Sequence, residues 1–365
     1  MITQAAVVTE PGAAFNFRDV QLDDPRPDEI IVKMVSTGIC HTDISVRDTL
    51  PADMFPRVLG HEGAGIVEQV GSAVTKVAVG DPVILSLDAC GQCANCTSKG
   101  PGYCENTLIL NYMGFRMDGS TTYTMDEAPL HGQFLGQSSF SAYALATERN
   151  AVKVAPGTDL SRLGPYGCSF MTGAGTVLNI LDPKRGSDTD TLVVYGVGAV
   201  GLAALAAARG RYQTFAVDLQ ASRLEAAVRL GATAINPAES EDLVAQIKEL
   251  TNGHGANFAI DTTGKTAVVK QMVQALAIKG TAVILALGDA TAELDAVDVM
   301  MNGKQIVGAI MGDSDPHQTI PELLRMAAAG EFMVDDLITA YPVAQINEAI
   351  ADAESGKVIK PVLVW

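Results

Sequence analysis

The chain has 365 residues, of which 42 are acidic and 25 basic, and its formal net charge is −17. This length exceeds a single domain of ~100–200 residues, so two domains are expected. The negative charge opposes binding to phosphate backbones, so no nucleic-acid partner is expected. No apolar run approaches the ~20 residues of a membrane span, and the first residues lack a signal-peptide pattern. We therefore expect a cytoplasmic protein that has no membrane association and no disulfides.

Short strand patterns broken by glycine and proline occupy residues 1–90. Examples are AAVVTEPG, EIIVKMVSTGIC and GAGIVEQVGSAVTKVAVGD. Alternating apolar residues with frequent glycines predict a small, strongly bent β-barrel. A cysteine-rich segment follows at 90–104, and residues 105–140 are polar and irregular.

Apolar runs alternate with helical patterns between residues 191 and 310. Six strands are predicted there, namely TLVVY (191–195), QTFAVD (213–218), TAINP (233–237), ANFAID (256–261), TAVILAL (281–287) and QIVGAI (305–310). Helical patterns such as AVGLAALAAARG and SRLEAAVRLGA separate them, which predicts a parallel, doubly wound sheet. The last residues, 311–365, carry an amphipathic helix, PELLRMAAAGEF, and are expected to return to the first domain.

A G-x-G-x-x-G motif follows the strand at 191–195 and opens a helix. Gly196 permits a tight turn, Gly198 lets a pyrophosphate approach the backbone, and Gly201 allows close packing of helix on strand. The helix N-terminus, at Ala199 and Val200, offers N–H groups to the phosphates. The motif predicts a dinucleotide site.

An acidic residue, Asp218, closes the second predicted strand, which is the next strand after the glycine motif. A carboxylate at this place hydrogen-bonds the ribose 2′-hydroxyl and repels a 2′-phosphate, so NAD is predicted rather than NADP. Arg223 follows in the next helical pattern. It is either a ligand of the ribose or phosphate or a residue of the helix surface.

Four cysteines, Cys90, Cys93, Cys96 and Cys104, form C-x2-C-x2-C-x7-C. Thiolates at this spacing suit a closed tetrahedral zinc site, whose role is structural because no coordination position stays open. An iron–sulfur cluster also uses four cysteines, but the chain has no second cluster motif. A structural zinc is therefore predicted.

Two further cysteines, Cys40 and Cys168, remain, and His41 and His61 are the nearest histidines in the motifs CHTD and GHEG. A catalytic zinc needs three protein ligands and one open position. Cys40, His61 and Cys168 supply such a set. From spacing alone, His41 competes with His61 as the histidine ligand. Cys168 is either a ligand or an ordinary residue of the core.

Taken together, GHEGAG (60–65), the cysteine lobe, Gly167-Cys168, GVGAVG and the terminal GKVIKPVL resemble the zinc-dependent medium-chain alcohol dehydrogenase family over essentially the whole chain. The resemblance implies an α/β protein with a GroES-like β-barrel catalytic domain and a Rossmann NAD-binding domain. The catalytic domain would comprise 1–169 and 311–365, with the zinc lobe at 90–104, and the NAD domain 170–310. A homodimer or homotetramer with two zinc ions per chain is implied.

The resemblance also assigns site residues. Cys40, His61 and Cys168 match the catalytic zinc ligands, and Glu62 matches a carboxylate that approaches the zinc while ligands exchange. Thr42 matches the hydroxyl that takes the alcohol proton, and Asp43 matches a group that orients the zinc-bound histidine. Facing the cofactor would be Thr172, Gly288 and 309–311 near the nicotinamide, and His41 and Lys360 at the pyrophosphate. Ser45 replaces the histidine that ends the proton relay in many members, which leaves His41 or solvent for that role.

The segments 104–120 and 131–144 resemble aryl-alcohol dehydrogenases and their monoterpene-alcohol relatives. This implies reversible oxidation of a primary aromatic or allylic alcohol, of the benzyl alcohol type, to the aldehyde. A geraniol-type or general primary alcohol dehydrogenase is the alternative. Leu108, where a glutathione-binding arginine would stand, argues against S-(hydroxymethyl)glutathione. The candidate pocket residues are Leu50, Phe55, Ser86, Leu110, Phe134 and Met301, and ordinary packing is the alternative for each. Ser86 either makes room for a ring or is only a serine at a strand end.

Three other classes fit less well. A zinc-free quinone or enone reductase would lack the set Cys40, His61 and Cys168. A zinc-ribbon module for nucleic acid is opposed by the net charge and the dinucleotide motif. A polyol dehydrogenase usually has a glutamate in place of the second cysteine ligand.

Overall fold

The structure, a computed structural model, describes residues 1–289 and 291–365. The chain forms two compact units. The first comprises 1–168, 315–322 and 338–365, and the second comprises 169–314 and 323–337. The division differs from the predicted boundaries mainly at 323–337, which was expected in the first domain. The physical reason is apolar packing, because Phe332 is buried and contacts the ring of Phe170 in the second unit.

The strands in chain order are β1 (Ile2–Val8), β2 (Asn16–Leu22), β3 (Glu29–Gly38), β4 (Arg57–Val58), β5 (Gly63–Val70), β6 (Pro82–Leu85), β7 (Tyr123–Met125), β8 (Ala128–Leu130), β9 (Tyr143–Thr147), β10 (Ala151–Lys153), β11 (Thr191–Tyr195), β12 (Gln213–Val217), β13 (Thr233–Ile235), β14 (Ala256–Asp261), β15 (Leu276–Ile284), β16 (Gln305–Gly308), β17 (Ile338–Pro342) and β18 (Lys360–Val364). The α-helices are α1 (His41–Thr49), α2 (Ala94–Ser98), α3 (Thr107–Asn111), α4 (Ser169–Gly175), α5 (Ala199–Ala208), α6 (Ala221–Arg229), α7 (Leu243–Leu250), α8 (Thr266–Gln274), α9 (Ala296–Asn302), α10 (Pro316–Ala328) and α11 (Ile346–Glu354).

The first unit is built on two sheets, as expected for a GroES-like domain. One has the order β4-β1-β2-β7-β8, and the other β10-β6-β5-β3-β18-β17, with β9 also paired to β3. Register shifts between β3 and β5 bend the second sheet, as β-bulges do. Its inner face buries Ile30, Val32, Val67, Val83 and Ala144. The tail returns to this unit because β18 pairs with β3.

The second unit contains the predicted parallel sheet, in the order β13-β12-β11-β14-β15-β16. This is the strand order of dinucleotide-binding Rossmann folds. All of β11 is buried, as its continuous apolar run predicts. The strand predicted at 281–287 begins earlier, at Leu276, because a register shift lets that residue pair with Ala256.

Helices form where the sequence pattern predicts them, but their first and last residues differ from the predicted ones. Helix α5 follows the glycine motif and is buried from Gly201 to Ala208, which explains its lack of a polar face. Helix α10 starts at Pro316 rather than with the predicted PELL, because Asp315 accepts N–H groups of the first turn, including that of His317. Within the described ranges, no helix combines the length and apolarity that crossing a bilayer requires.

Candidate active site and cofactor sites

A cluster of four potential metal ligands lies in the first unit. Cys40, His61, Glu62 and Cys168 each present one ligand atom, and these atoms lie within 4.8 Å of one another. Cys40 precedes α1, His61 and Glu62 lie between β4 and β5, and Cys168 follows a 3-10 turn. The pairing of β3 with β5 brings the first three together, since it places the ends of these strands side by side. His61, rather than His41, is therefore the histidine of the cluster.

The ring of His61 is held by Asp43. Its Nδ1 lies 2.9 Å from Asp43 Oδ1, and both side chains are buried. The backbone N–H groups of Cys40 and Gly60 donate to the same carboxylate, each at 3.0 Å. The other ring nitrogen, Nε2, is buried and has no hydrogen-bond partner among the described residues. A carboxylate on one nitrogen and a bare second nitrogen are what a zinc-binding histidine requires.

The charges in this cluster favour a bound cation. A hydrogen bond from Cys168 lowers the pKa of the Cys40 thiol, and the same contact raises the pKa of Cys168. Burial lowers the pKa of His61, but the charges of Asp43 and Cys40 outweigh it and raise the pKa above its usual value. The two thiols thus compete for one proton, and a divalent ion would let both ionise. The donor set fits zinc.

Glu62 is held beside the cluster by Lys360. The Lys360 ammonium lies 2.5 Å from Glu62 Oε2 and donates to the Ile39 carbonyl at 2.9 Å. A Cβ on Gly38 would collide with the Glu62 carboxylate, so the space depends on that glycine. Lys360, which was expected at a pyrophosphate, is 1% exposed in this ion pair. Its contact with a pyrophosphate stays a prediction.

Gln137 braces the loop that carries His61 and Glu62. Its amide nitrogen donates to the carbonyls of His61 and Ser86, and its oxygen accepts the N–H of Gly63 at 2.9 Å. Gln137 is fully buried, so these bonds are protected from water. Sequence reasoning used this residue only as a marker of the family branch. Nothing local distinguishes it, because its partners lie far away in the chain.

The residues predicted for proton transfer begin α1. Thr42 is partly exposed, and its hydroxyl lies 3.8 Å from Cys40 Sγ, beside the ligand cluster. His41 is the first residue of the helix and is exposed. Ser45 is partly exposed. The hydroxyl of Thr42 is thus the one that the structure brings next to a candidate ligand.

The second metal cluster is formed by Cys90, Cys93, Cys96 and Cys104, whose sulfur atoms lie within 4.8 Å of one another. Backbone N–H groups donate to Cys93 and Cys104 at 3.3–3.4 Å. A hydrogen bond from the Gln92 backbone lowers the pKa of Cys90 to about 6, whereas burial raises the pKa of Cys96 to about 12. Four adjacent thiols without a cation cannot all ionise, and zinc removes this conflict.

Replacing Cys93 by Ala is expected to lower the thermal stability while turnover at low temperature is retained. Cys93 caps α2 and belongs to a cluster that is closed to substrate, so its loss removes folding energy. We expect the melting temperature to drop by several degrees, because ~1 kcal/mol is worth about 2–4 °C in a domain of ~150–250 residues. Ser98→Ala, on the exposed side of the same helix, is the control. An unchanged melting temperature of Cys93→Ala would contradict a structural role.

The glycine motif has the geometry that a dinucleotide needs. Gly196 has φ of 81°, which favours glycine, and a Cβ on Gly201 would collide with the Gly196 carbonyl. A Cβ on Gly198 would meet no atom within 4 Å, so the space above this residue is open. Gly198 is the N-cap of α5, and Ala199 and Val200 are partly exposed in its first turn. These features fit a pyrophosphate at the helix N-terminus.

Asp218 follows β12 and is fixed by two backbone N–H groups. Val197 of the glycine turn donates at 2.9 Å and Gln220 at 2.8 Å. The nearest side-chain cation, Arg223, lies 3.7 Å from the carboxylate. The structure thus brings Asp218 and Arg223 together beside the glycine motif. This favours a role of Arg223 at the ribose over that of an isolated surface residue.

The residues predicted at the nicotinamide also lie in the second unit. Thr172 Oγ1 is 3.6 Å from the sulfur of Met311, which joins two of the predicted segments. Gly288 is exposed after β15, and a Cβ there would collide with the backbone of Gly264. Ala309 follows β16 and is buried. These positions stay predictions for cofactor contact.

The predicted pocket residues differ in their surroundings. Ser86 was expected to leave room for a substrate ring, but it is fully buried and donates to the Gly167 carbonyl at 2.7 Å. This favours the alternative that Ser86 is a packed serine at the end of β6. Phe134 lies next to the cluster, its ring 5.3 Å from that of His61 in an edge-to-face contact. Leu50 and Leu110 are partly exposed, Phe55 is 8% exposed, and Met301 of the second unit is 73% exposed.

Comparisons with known proteins agree with this geometry. The alcohol dehydrogenase GroES-like domain matches residues 26–156, and the zinc-binding dehydrogenase domain matches residues 196–329. A geraniol dehydrogenase from Castellaniella defragrans is 39% identical over 99% of this chain and 97% of its own length. The chain therefore belongs to the zinc-dependent medium-chain alcohol dehydrogenases. This membership supports zinc and NAD as its cofactors.

Two solved structures are similar over the whole chain. A benzyl alcohol dehydrogenase from Acinetobacter calcoaceticus is 39% identical with a TM-score of 0.92, covering 100% of this chain and 99% of that chain. An alcohol dehydrogenase zinc-binding domain protein from Burkholderia ambifaria is 41% identical with a TM-score of 0.94, again covering 100% and 99%. Both the family membership and the fold therefore support alcohol dehydrogenase activity.

Proposed function

We propose that the protein oxidises primary alcohols whose carbinol carbon adjoins an aromatic ring or an allylic double bond, with NAD as the hydride acceptor. The observation that carries the substrate class is the aromatic side of the metal cluster. There Phe134 contacts the His61 ring at 5.3 Å, and Tyr112 contacts Phe134 at 6.2 Å. A flat, apolar substrate gains free energy when its surface is buried. A contact between its ring and an aromatic side chain adds to this gain. The similar geraniol and benzyl alcohol dehydrogenases give the same two substrate types.

In this proposal Cys40, His61 and Cys168 hold the catalytic zinc, and the carboxylate of Glu62 is available as a fourth donor. Zinc, when bound, acts as a Lewis acid that makes the alcohol more acidic. Asp43 orients His61 through the bond to Nδ1. Thr42 accepts the alcohol proton on its hydroxyl and passes it outward.

A panel of alcohols tests the substrate class. Initial rates with NAD are measured for benzyl, cinnamyl, geranyl and ethyl alcohols and for hydroxymethylglutathione. Burying a ring contributes at ~25 cal/mol per Å², so we expect kcat/KM to be at least about tenfold higher for the first three than for ethanol. An ethanol value equal to the best of the three would make this a general short-chain alcohol dehydrogenase.

Hydroxymethylglutathione is expected to be a poor substrate. Leu108 occupies the position of the glutathione-binding arginine, and its side chain is 60% exposed. An exposed apolar side chain cannot pair with a carboxylate. Efficient turnover of hydroxymethylglutathione in the same panel would exclude this assignment.

We expect Asp218→Asn to narrow the preference for NAD over NADP. The amide keeps an acceptor for the Val197 N–H but removes the charge that repels a 2′-phosphate, and it leaves the Arg223 guanidinium nearby without its anion. The ratio of kcat/KM for the two cofactors is the measurement. Glu225→Gln, an exposed carboxylate on α6, is the control. Equal use of both cofactors by the wild type would refute the NAD assignment.

We also propose self-association through the free edge of the parallel sheet. Strand β16 ends that sheet, and exposed apolar side chains surround it, namely Ile278, Leu287, Val297, Met300, Met301, Ile306 and Ile310. An edge strand with such neighbours readily pairs with another chain. Ile306→Lys is expected to shift the protein from oligomer to monomer in analytical ultracentrifugation. A monomeric wild type would refute the proposal, and Lys270→Glu on α8 is a charge control.

A further inference from the structure

Tyr112 belongs to a series of ring contacts that reaches the cluster around His61. It follows α3, and its ring contacts Phe134 edge-to-face at a centroid distance of 6.2 Å and an angle of 74°. Phe134 in turn contacts His61 at 5.3 Å and 89°. Three rings are therefore arranged in series, and the series ends at a candidate zinc ligand.

The two aromatic residues of this series differ in exposure. Phe134 is fully buried, so its faces are covered by protein, whereas Tyr112 is only partly buried. Burial raises the pKa of the Tyr112 phenol, and the charges of Cys168 and Cys40 raise it further. Of these two rings, that of Tyr112 is the one on a residue with accessible surface.

A buried cation, Arg57, contacts the ring of Phe134 and the backbone of Tyr112. Arg57 donates to the Tyr112 carbonyl at 3.0 Å, and its guanidinium carbon lies 5.9 Å from the centre of the Phe134 ring. Its Nε and Nη1 are buried without hydrogen-bond partners among the described residues, and burial lowers its pKa to about 10. A buried cation without an anion is costly, so stability alone does not account for Arg57. Its contacts make it a positioning residue for the two rings.

The backbone around Phe134 is strained as well. Gln133, Leu135 and Ser138 have φ of 54°, 45° and 52°, values that non-glycine residues rarely adopt. Such strain persists only where the surroundings impose it, and it collects at functional sites. These residues flank Phe134 in the chain, and Phe134 contacts both His61 and Tyr112.

We propose that Tyr112 is a specificity-determining residue of the alcohol site. Its ring forms the wall against which an aromatic or allylic substrate packs, Phe134 fixes the orientation of that ring, and Arg57 holds both. The inference rests on the proposed alcohol oxidation at the zinc cluster. It assigns the preference for unsaturated alcohols to the ring of Tyr112 and not to its hydroxyl.

The test compares Tyr112→Leu, Tyr112→Phe and wild type by the ratio of kcat/KM for benzyl alcohol to that for ethanol. Loss of the ring is expected to lower this ratio about tenfold. This is the effect expected from losing one aromatic contact and the apolar area that it buries. Tyr112→Phe is expected to stay within about threefold of the wild-type ratio. Tyr143→Leu, a partly exposed tyrosine of β9 in the same unit, is the matched control.

A ratio that is unchanged in Tyr112→Leu overturns the proposal. If that variant does not fold, Tyr112→Met, which also removes the ring, replaces it, and an unchanged ratio of kcat/KM for benzyl alcohol to that for ethanol overturns the proposal in the same way. Arg57→Met is expected to lower the benzyl-to-ethanol ratio without lowering the melting temperature, because it removes an unpaired buried charge. The proposed function fails separately, when the wild type itself does not prefer benzyl alcohol, whereas the role of Tyr112 is judged by the change from wild type.

Discussion

Replacing Cys168 by Ala is expected to abolish turnover while the fold is retained. Cys168 is buried, its thiol contacts Cys40, and it is one of four potential ligands within 4.8 Å. Removing one of three protein ligands weakens the zinc site, and the open position is no longer defined. We expect the rate to fall below detection, the zinc content to drop from two ions per chain to one, and the circular dichroism spectrum to stay unchanged.

Cys93→Ala provides the matched comparison. It also removes one thiol from one metal cluster, so both variants are expected to contain a single zinc. Only Cys168→Ala should lose activity at low temperature, and only Cys93→Ala should show a large drop in melting temperature. Ser36→Ala, which alters a buried side chain of β3 outside both clusters, controls for small cavities. Normal turnover of Cys168→Ala with one zinc per chain would remove Cys168 from the catalytic site.

Much of this architecture is predictable from the sequence, because local patterns carry it. The glycine turn, the strand before it and Asp218 are close together in the chain and form one βαβ unit. The four cysteines of the lobe share one short segment, so their spacing alone limits them to one small site. In both cases the residues that meet in space are also neighbours in the chain.

The rest depends on contacts between distant segments. The ion pair of Lys360 with Glu62 had no signal in the sequence, because the pairing of β18 with β3 brings together residues about 300 positions apart. Ser86 was expected in the pocket, but its hydroxyl bonds to Gly167, which belongs to another turn. Arg57 belongs to no motif, and Tyr112 lies in the segment 104–120 that resembles aryl-alcohol dehydrogenases, but no pattern singled it out there. The positions of these residues depend on sheet register and packing, which local sequence patterns do not determine.

Because Ser86 is fully buried, a substitution there tests packing and not the preference for a substrate. Ser86→Phe would place a ring in a closed interior, where overpacking costs roughly 1–3 kcal/mol or more. We therefore expect this variant to lose stability instead of discriminating between alcohols. The specificity of the site is better tested at Tyr112, whose side chain is partly exposed.

Replacing Thr42 by Val is expected to lower turnover by roughly 10²–10⁴-fold, the usual range for general acid–base work. The two side chains have nearly the same shape, so the substitution removes the hydroxyl but leaves the volume. Thr42 lies in the first turn of α1, and its Oγ1 is 3.8 Å from Cys40 Sγ, where a substrate hydroxyl near the cluster is within reach.

Two measurements separate proton transfer from a structural effect at Thr42. A deuterated alcohol shows whether hydride transfer limits the rate, and Thr42→Ser, which restores the hydroxyl, is expected to recover most of the lost turnover. Zinc content should equal that of the wild type in both variants, because the threonine is not a ligand. The exposed Thr49 at the other end of α1 supplies the control, Thr49→Val. If Thr42→Val keeps full turnover while hydride transfer is rate-limiting, the first proton acceptor must be another group, and the exposed His41 next to it in the chain is then the first to substitute.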